Sequence, residues 1–313
     1  MKTILFTNAR DETNILEWIV HHLNLGFTHI YIYDHLSRNP LQNQFIGLPV
    51  TVNRINRRFL NKTIVMKQSI QIATDQKNDY MIYLDCDEFL ILNDDTNVGS
   101  FLNRYNNYDQ IGVNWLLFGS NYHDNDPKGS IIENYTRSEG ILNMHIKSFI
   151  KLPAKLKKVC NAHVYNLESM NKSIGTNYKL LNDKTPWFFE NNDNYNDVSA
   201  YIAHYVYQSY ETYLNRKVKL PRDDSTRYRD VLSKEEIHNS YNQNETLEPK
   251  LKYNEINKKK MIELNILFEK NEYFDWMKYV EKYQDLQIAG INTEQKAYLH
   301  WVKHGIREGR SCN

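Results

Sequence analysis

The sequence predicts an α/β protein: a mixed, mainly parallel sheet flanked by helices, with a small α-helical module at the C-terminal end. Three observations carry this. Residues 3–34 read strand, helix, strand, and a βαβ unit makes its two strands parallel. Met81 to Leu84 is an apolar, aromatic and β-branched run that fits a buried strand, and it runs into Asp85 and Asp87. After Tyr273 the apolar period becomes helical, with two tryptophans.

In order, Thr3 to Phe6 is a strand and Thr7 to Glu12 a polar loop. Thr13 or Asn14 can cap a helix whose stripe is Ile15, Leu16, Ile19, Val20 and Leu23, and Gly26 ends it. His29 to Tyr33 is the second strand, closed by Asp34. Ligands of such sheets bind beyond the strand C-termini, which puts Thr7 to Glu12, Asp34 and Asp85/Asp87 on one rim. Val50 to Ile55 is a third strand, and Ile64 to Gln76 a helix with Met66, Ile70 and Ala73 on one face. A short helix over Ser100 to Tyr105 precedes a strand over Ile111 to Phe118. Gly119 to Gly129 is a turn-rich loop holding His123, Asp124 and Asp126.

Ile131 to Glu133, His145 to Leu152 and Ala162 to Tyr165 read as strands of an antiparallel extension, and Asn166 to Asn196 as a long loop. Ala200 to Tyr205 is apolar and contains His204; Tyr207 to Lys219 reads as a helix. Domains are therefore expected at 1–220 and 273–313, joined by a linker with helical segments at 221–272, where Lys258 to Lys260 reads as a solvated face. In the last segment Trp276, Val280 and Tyr283, then Ala297 and Trp301, describe a helical hairpin too small to stand alone.

Asp85 and Asp87 stand two residues apart. In an extended segment their side chains share a face, and two carboxylates on one face repel unless a cation lies between them. Oxygen donors suit Mg²⁺ or Mn²⁺, which keep open positions for phosphate oxygens and water. The competing reading is a pair of polar residues at a strand end.

Composition narrows the partners. The 313 residues are 41% hydrophobic and 25% charged, enough for a sizeable core. A formal net charge of +1 gives no argument for nucleic acid or a membrane surface. Three cysteines make no disulfide framework and suit a reducing compartment. No apolar run is long enough for a signal peptide or a membrane span, so a cytoplasmic protein is expected.

Taken in order, the following pieces resemble a known family: Asn8-Ala9-Arg10-Asp11-Glu12 with Glu17-Trp18-Ile19 and His22-Leu23; Tyr31-Ile32-Tyr33-Asp34 with Ser37; and Asp85-Cys86-Asp87-Glu88-Phe89. Further on come Trp115 to Ser120, Lys147, His163, and Ala203-His204-Tyr205 with Ser209 and Lys217. Over roughly the first two-thirds of the chain, the set resembles nucleotide-sugar glycosyltransferases of the GT-A fold, families 2 and 92. The C-terminal segment is similar to modules appended to glycosyltransferases of bacteria and large DNA viruses, which makes the expected compartment a bacterial or host cytoplasm. That segment is the expected place for a homodimer or partner contact.

The resemblance implies a hexosyltransferase-like enzyme, dependent on Mn²⁺ or Mg²⁺, that moves a sugar from a UDP- or GDP-linked donor to a glycan, glycoprotein or glycolipid hydroxyl. Asp87 would bind the cation, with Asp85 on the ribose or the metal and His204 as a further ligand. Asp34 would meet the base, Thr7, Ala9 and Glu12 would line the nucleotide pocket, Arg10 would reach base or phosphate, and Lys217 would pair with phosphate. An inverting transfer needs a carboxylate base. Asp124, Asp126, Glu133 and His123 are on offer, and Asp124 is the choice, with Glu133 second; the residues alone leave a retaining mechanism open. Two other classes compete. A phosphotransferase or nucleotidyltransferase would want a glycine-rich phosphate loop, which Thr7 to Glu12 lacks. A non-catalytic carbohydrate- or protein-binding module would not need the Asp85/Asp87 pair.

Overall fold

The structure, a computed structural model, describes residues 1–313 apart from 43, 46, 159–162, 182–188, 190–192, 223–226, 270–273, 306–307 and 312–313. The expected class holds. The chain runs β1 (Thr3–Ala9), α1 (Ile15–Asn24), β2 (His29–His35), β3 (Val50–Ile55), α2 (Lys62–Asp75), β4 (Tyr80–Tyr83), β5 (Glu88–Leu92), α3 (Val98–Arg104) and β6 (Gln110–Phe118). It continues through α4 (Ile131–Asn134), β7 (Arg137–Ser138), β8 (Ile146–Lys151), β9 (Leu156–Lys158), β10 (Asn166–Leu167), β11 (Ser173–Gly175) and β12 (Ala200–Tyr205). Then come α5 (Tyr210–Tyr213), a π-helical turn (Leu214–Val218), α6 (Lys234–Asn239), β13 (Asn244–Glu245) and α7 (Glu248–Glu269). The end holds α8 (Trp276–Lys282), α9 (Gln284–Ile288), α10 (Glu294–His300) and a second π-helical turn (Trp301–Gly305).

The main sheet is ordered β13-β7-β6-β8-β4-β1-β2-β3. From β4 to β3 neighbours run parallel, so Ala9, Asp34, Ile55 and Tyr83 finish at one rim. Beyond β4 the antiparallel β8 separates β4 from β6, while β12 lies antiparallel to β5 and parallel to β6. All seven residues of β1 are buried, as a central strand covered on both faces requires. Its side chains alternate between two cores. Leu5 joins Trp18, Ile19, Ile82 and Phe101 under α1 and α3; Ile4 and Phe6 join Val65, Met66, Ala73 and Met81 under α2.

Several expectations change. β1 extends to Ala9, so Thr7 to Ala9 belong to the strand and not to a loop. Ile131 to Glu133 is helical: Ser130 accepts the N–H of Glu133 at 3.2 Å, and the Glu17 carboxylate accepts those of Ile131 and Ile132. Two adjacent isoleucines look alike in either state, and these caps decide it. Of the expected strand at Ala162–Tyr165, Ala162 lies outside the described residues and His163 to Tyr165 are irregular; the short strand here is Asn166–Leu167, paired with β9. The expected helix from Tyr207 starts at Tyr210, because Gln208 takes φ +57° and Ser209 caps the first turn. It then widens into the π-helical turn, where the Lys219 N–H reaches the Leu214 carbonyl at 2.9 Å.

The stretch expected as a linker contains α7, which packs against α1 and α4 and buries Tyr253, Asn254 and Asn257. The C-terminal hairpin resolves into α8, α9 and α10, with Asp275 and Thr293 capping the first and last. Its core is its own: Tyr279, Leu286, Ala297 and Trp301, with Phe274 packed against them. Among the described residues no helix is long and apolar enough to cross a membrane.

Candidate active site

The strand β4 stops at Tyr83 and the chain turns: the Glu88 N–H bonds the Asp85 carbonyl at 3.0 Å, and the Glu88 carboxylate accepts the Asp85 N–H at 2.9 Å. Asp85 and Asp87 therefore leave a turn, not an extended strand, and they meet different partners. Lys147 arrives from β8 and sits 2.8 Å from Asp85 and 3.4 Å from Glu88; Lys62, opening α2, lies 3.6 Å from Asp85. Burial works to raise the Asp85 pKa, but the two ammonium groups outweigh it and hold the carboxyl well below its ordinary range. Glu88 is pushed up to about 7, chiefly by burial that Lys147 only partly offsets.

Asp87 is buried and faces the chain that follows β12. Lys217 stands 3.0 Å away, the His204 Nε2 3.6 Å and Arg216 3.9 Å. These groups overcome the effect of burial and keep Asp87 ionised far into acid. His204 is brought here because β12 pairs it with Glu88 of β5. Its ring lies edge-on to Trp115, centroids 4.5 Å apart, and Trp115 stacks on His145 at 4.9 Å. The Nδ1 of His204 and the Nε1 of Trp115 are buried without hydrogen-bond partners.

Arg216 is also the partner of Glu12. Its Nη2 lies 2.7 and 2.6 Å from the two carboxylate oxygens. Burial raises the Glu12 pKa and the guanidinium opposes it. The consecutive residues Arg216 and Lys217 thus strap the β1–α1 loop and the Asp87 turn to the same π-helical turn. Three hollows adjoin. A recess of 80 Å³ is walled by Asn8, Arg10, Glu12, Arg216, Lys217 and Arg222, with Arg229 at its edge. A 450 Å³ cavity shares Arg10 and Arg216 with it and adds Asp126 and Lys219. A 780 Å³ cavity lies against the start of α1. The Nε of Arg10 is buried without a partner.

The remaining sequence candidates fall as follows. Thr7 and Ala9 are fully buried inside β1; the Thr7 hydroxyl lies 3.3 Å from the Cys86 sulfur. Asp34 is buried and committed: it accepts from Arg54 at 2.7 Å and from the backbone of Leu41 and Ser37. Burial opposes ionisation there, but these hydrogen bonds prevail and lower its pKa. Asp124 is exposed, 2.8 Å from Lys234 and 3.0 Å from His238, whose hydrogen bonds lower its pKa. Glu133 is held by Lys258 of α7 at 2.6 Å, which lowers its pKa. Asp126 does face the 450 Å³ cavity, and one carboxylate oxygen accepts from both Ser209 and Thr212. The reading of residue types overlooked Lys62 and Arg216 as partners; the one signal for Arg216 was its place beside Lys217.

The rim thus gathers Asp85, Asp87, His204, Glu12, Arg10 and Lys217. Among the described residues no three His, Cys, Asp or Glu side chains stand close enough together to hold a metal ion. Asp87 and His204 are the two donors that face each other.

Comparison with known proteins gives the family. None of the curated proteins matches the chain. Solved structures similar to it include S. aureus TarS, 13% identical, with a TM-score of 0.26 over 37% of this chain and 21% of that one. Another is UDP-glucose pyrophosphorylase complexed with UDP-glucose, 13% identical, with a TM-score of 0.28 over 49% of this chain and 69% of that one. The chain thus spans about a fifth of TarS, and scores this low carry no argument about chemistry. The sequence profile of glycosyltransferase family 92 matches residues 71–260, more than half of the chain and including Asp85, Asp87, His204 and Lys217. The chain belongs to glycosyltransferase family 92.

Proposed function

We propose that the protein transfers a sugar from a nucleotide-sugar donor, UDP- or GDP-linked, to a hydroxyl of a glycan or glycoconjugate, with inversion. The observation that carries this is the rim itself. Asp87, facing His204, adjoins a recess walled by Arg10, Arg216, Lys217 and Arg222, the charge pattern a diphosphate requires. In the transfer the acceptor oxygen bonds to the anomeric carbon while the bond from that carbon to the phosphate oxygen breaks. The nucleoside diphosphate leaves, and its growing charge falls to the Arg216 and Lys217 cations. The acceptor's proton passes to Asp126, our choice of base among the candidates, because it is the one that lines a cavity shared with Arg10 and Arg216. The Ser209 and Thr212 hydroxyls fix one of its oxygens and leave the other for the acceptor.

A divalent cation, Mn²⁺ or Mg²⁺, would find two donors here, an acidic oxygen of Asp87 and the imidazole of His204, and such ions keep the rest of their shell for phosphate and water. Bound there, it would supply Lewis-acid neutralisation of the diphosphate.

The test is thermal stability against UDP, GDP and their sugar conjugates, with and without Mn²⁺, for wild type and Asp87→Ala. A ligand that binds only the folded state raises stability by mass action. A nucleotide-dependent rise that Asp87→Ala loses supports the reading. A well-folded wild type that responds to none of them sinks it.

A further inference from the structure

A net charge of +1 conceals an uneven distribution. Residues 35–74 carry six arginines and lysines and no aspartate or glutamate, while over the rest of the chain the acids outnumber the bases. The densest part is the loop at 56–61 between β3 and α2, at the outer corner of the sheet because β3 is its edge strand. Three of the six cations are committed: Arg38 to Asp11, Arg54 to Asp34, and Lys62 to Asp85 at 3.6 Å. Arg57, Arg58 and Lys67 are exposed and make no ion pair among the described residues.

Apolar side chains stand among these three. Phe59 is 40% exposed and Ile64 42%. Arg58 lies over the Phe59 ring, 5.4 Å from its centroid. Arg57, Phe59 and Ile64 wall one small hollow of 240 Å³, so they share a face, and Lys67 stands one turn beyond Ile64 on α2. The backbone beneath is fixed. Asn61 caps α2 by accepting the Ile64 N–H at 3.1 Å, the Arg57 carbonyl meets the His35 Nε2 at 2.9 Å, and Leu60 is anchored in the core under α2.

Unpaired cations set among exposed apolar side chains match the surface of an anionic bilayer. The cations meet lipid phosphates, their stems lie along apolar surface, and the aromatic and aliphatic groups enter the boundary between headgroups and acyl chains. A nucleic acid would engage the cations and stack on Phe59, but it offers nothing to Ile64. A donor nucleotide is met elsewhere: Arg57, Arg58, Phe59 and Lys67 wall neither the recess of Arg216 and Lys217 nor the two cavities beside it.

We infer that this corner docks the protein on anionic lipid bilayers, with Arg57, Arg58 and Lys67 at the phosphates and Phe59 and Ile64 inserted. Lys62 of the same stretch reaches Asp85, so docking would hold the rim beside the lipid surface. The test is co-sedimentation of the full chain with vesicles of phosphatidylcholine alone or with about 30% phosphatidylglycerol, at about 50 and 300 mM salt. The variants are the double Arg57→Gln/Arg58→Gln, Phe59→Ser, and as a charge-matched control Lys259→Gln/Lys260→Gln on α7, which packs against α1 and not α2. All five positions are exposed, so the variants should fold, and equal melting temperatures check this. Wild type should bind the anionic vesicles only, and less at high salt. The arginine double should lower the partition constant about 25-fold, at about fivefold per charge, and Phe59→Ser about fivefold, with the control within about twofold and nucleotide affinity unchanged throughout. No binding to anionic vesicles at low salt, or an equal loss in the control, would overturn the inference. Full binding by Phe59→Ser, with a single-stranded oligonucleotide competing, would make the loop a polyanion site instead. A fall in nucleotide affinity in the arginine double would assign the loop to the donor. The vesicle assay needs no nucleotide, so its outcome is independent of the transferase reading.

Discussion

Two clusters of buried ionisable groups adjoin β5, one just before its first residue and one beside Leu90 at its middle, and they are satisfied in opposite ways. At the rim, Asp87 and Glu12 are held by side-chain cations at 2.6–3.9 Å. Under α1, His21, His22 and Glu17 are held mainly by backbone. The His21 Nε2 meets the Leu90 carbonyl at 2.8 Å while its Nδ1 takes an amide hydrogen of Asn257; the His22 Nδ1 meets the Trp18 carbonyl, and its Nε2 takes the Leu90 N–H. Those contacts use one donor and one acceptor per ring, which is the neutral imidazole. Glu17 accepts the N–H groups of Ile131 and Ile132. Both clusters hold residues that carried the family resemblance. A polar group whose partners are mobile cations can exchange them for a ligand; one whose partners are peptide groups cannot without local unfolding.

The comparison can be broken by substitution. The largest effect is expected at Asp126→Asn, which removes the proposed base and should lower turnover about 10²–10⁴-fold with little change in melting temperature; a loss under fivefold in a donor-release assay would move the base elsewhere. Glu17→Ala should act on stability, by about 2–4 kcal/mol in urea unfolding, because two buried N–H groups lose their acceptor. Little change there would mean that α4 holds itself.

The pH dependence distinguishes the clusters further. Burial pushes His21 down to about 4 and lowers His22 well below the usual imidazole range. The unfolded chain then binds more protons than the folded one between pH 4 and 6.5. Stability should fall as pH drops through that window, by roughly 2–3 kcal/mol for His21. Glu17 and Glu88, each raised to about 7 chiefly by burial, act oppositely, favouring the fold as pH drops from 7 to 4.5. Comparing His21→Phe with wild type isolates the histidine slope, and an unchanged slope would show the ring protonates in place. Lys217→Met should weaken nucleotide binding about tenfold by calorimetry, as the loss of one charge-assisted contact does. The smallest effect is expected at Asp124→Asn, an exposed pair with Lys234, with no resolvable shift in melting temperature and about threefold or less in rate. A large loss there would restore it as the base.

Much of the fold was legible because burial leaves a period. Ile4 and Phe6 against Leu5 announce a two-faced strand, and Met81 to Leu84 its neighbour. Polar burial leaves none. α7 was read as linker because its inward face is Tyr253, Asn254 and Asn257, residues that look solvated until Asn257 meets His21. At the site, the positions of Asp85, Asp87 and His204 were legible from the resemblance. Their partners were not: Lys147 and Lys62 come from β8 and α2, and which lysine answers which aspartate depends on strand order. Asp126 and Asp124 stand only two places apart in sequence, and their partners separate them: Ser209 and Thr212 hold Asp126, while Lys234 and His238 hold Asp124.

One last consequence follows from the adjacency of Arg216 and Lys217. A single peptide link joins the partner of Glu12 to the partner of Asp87, so an anion that draws off either cation must tug on both restraints. Binding energy spent at the recess is thereby shared with the ordering of Leu214–Val218. Thermodynamic reciprocity makes the exchange symmetric: whatever steadies that turn from outside raises the anion's affinity by the same factor with which the anion steadies the turn.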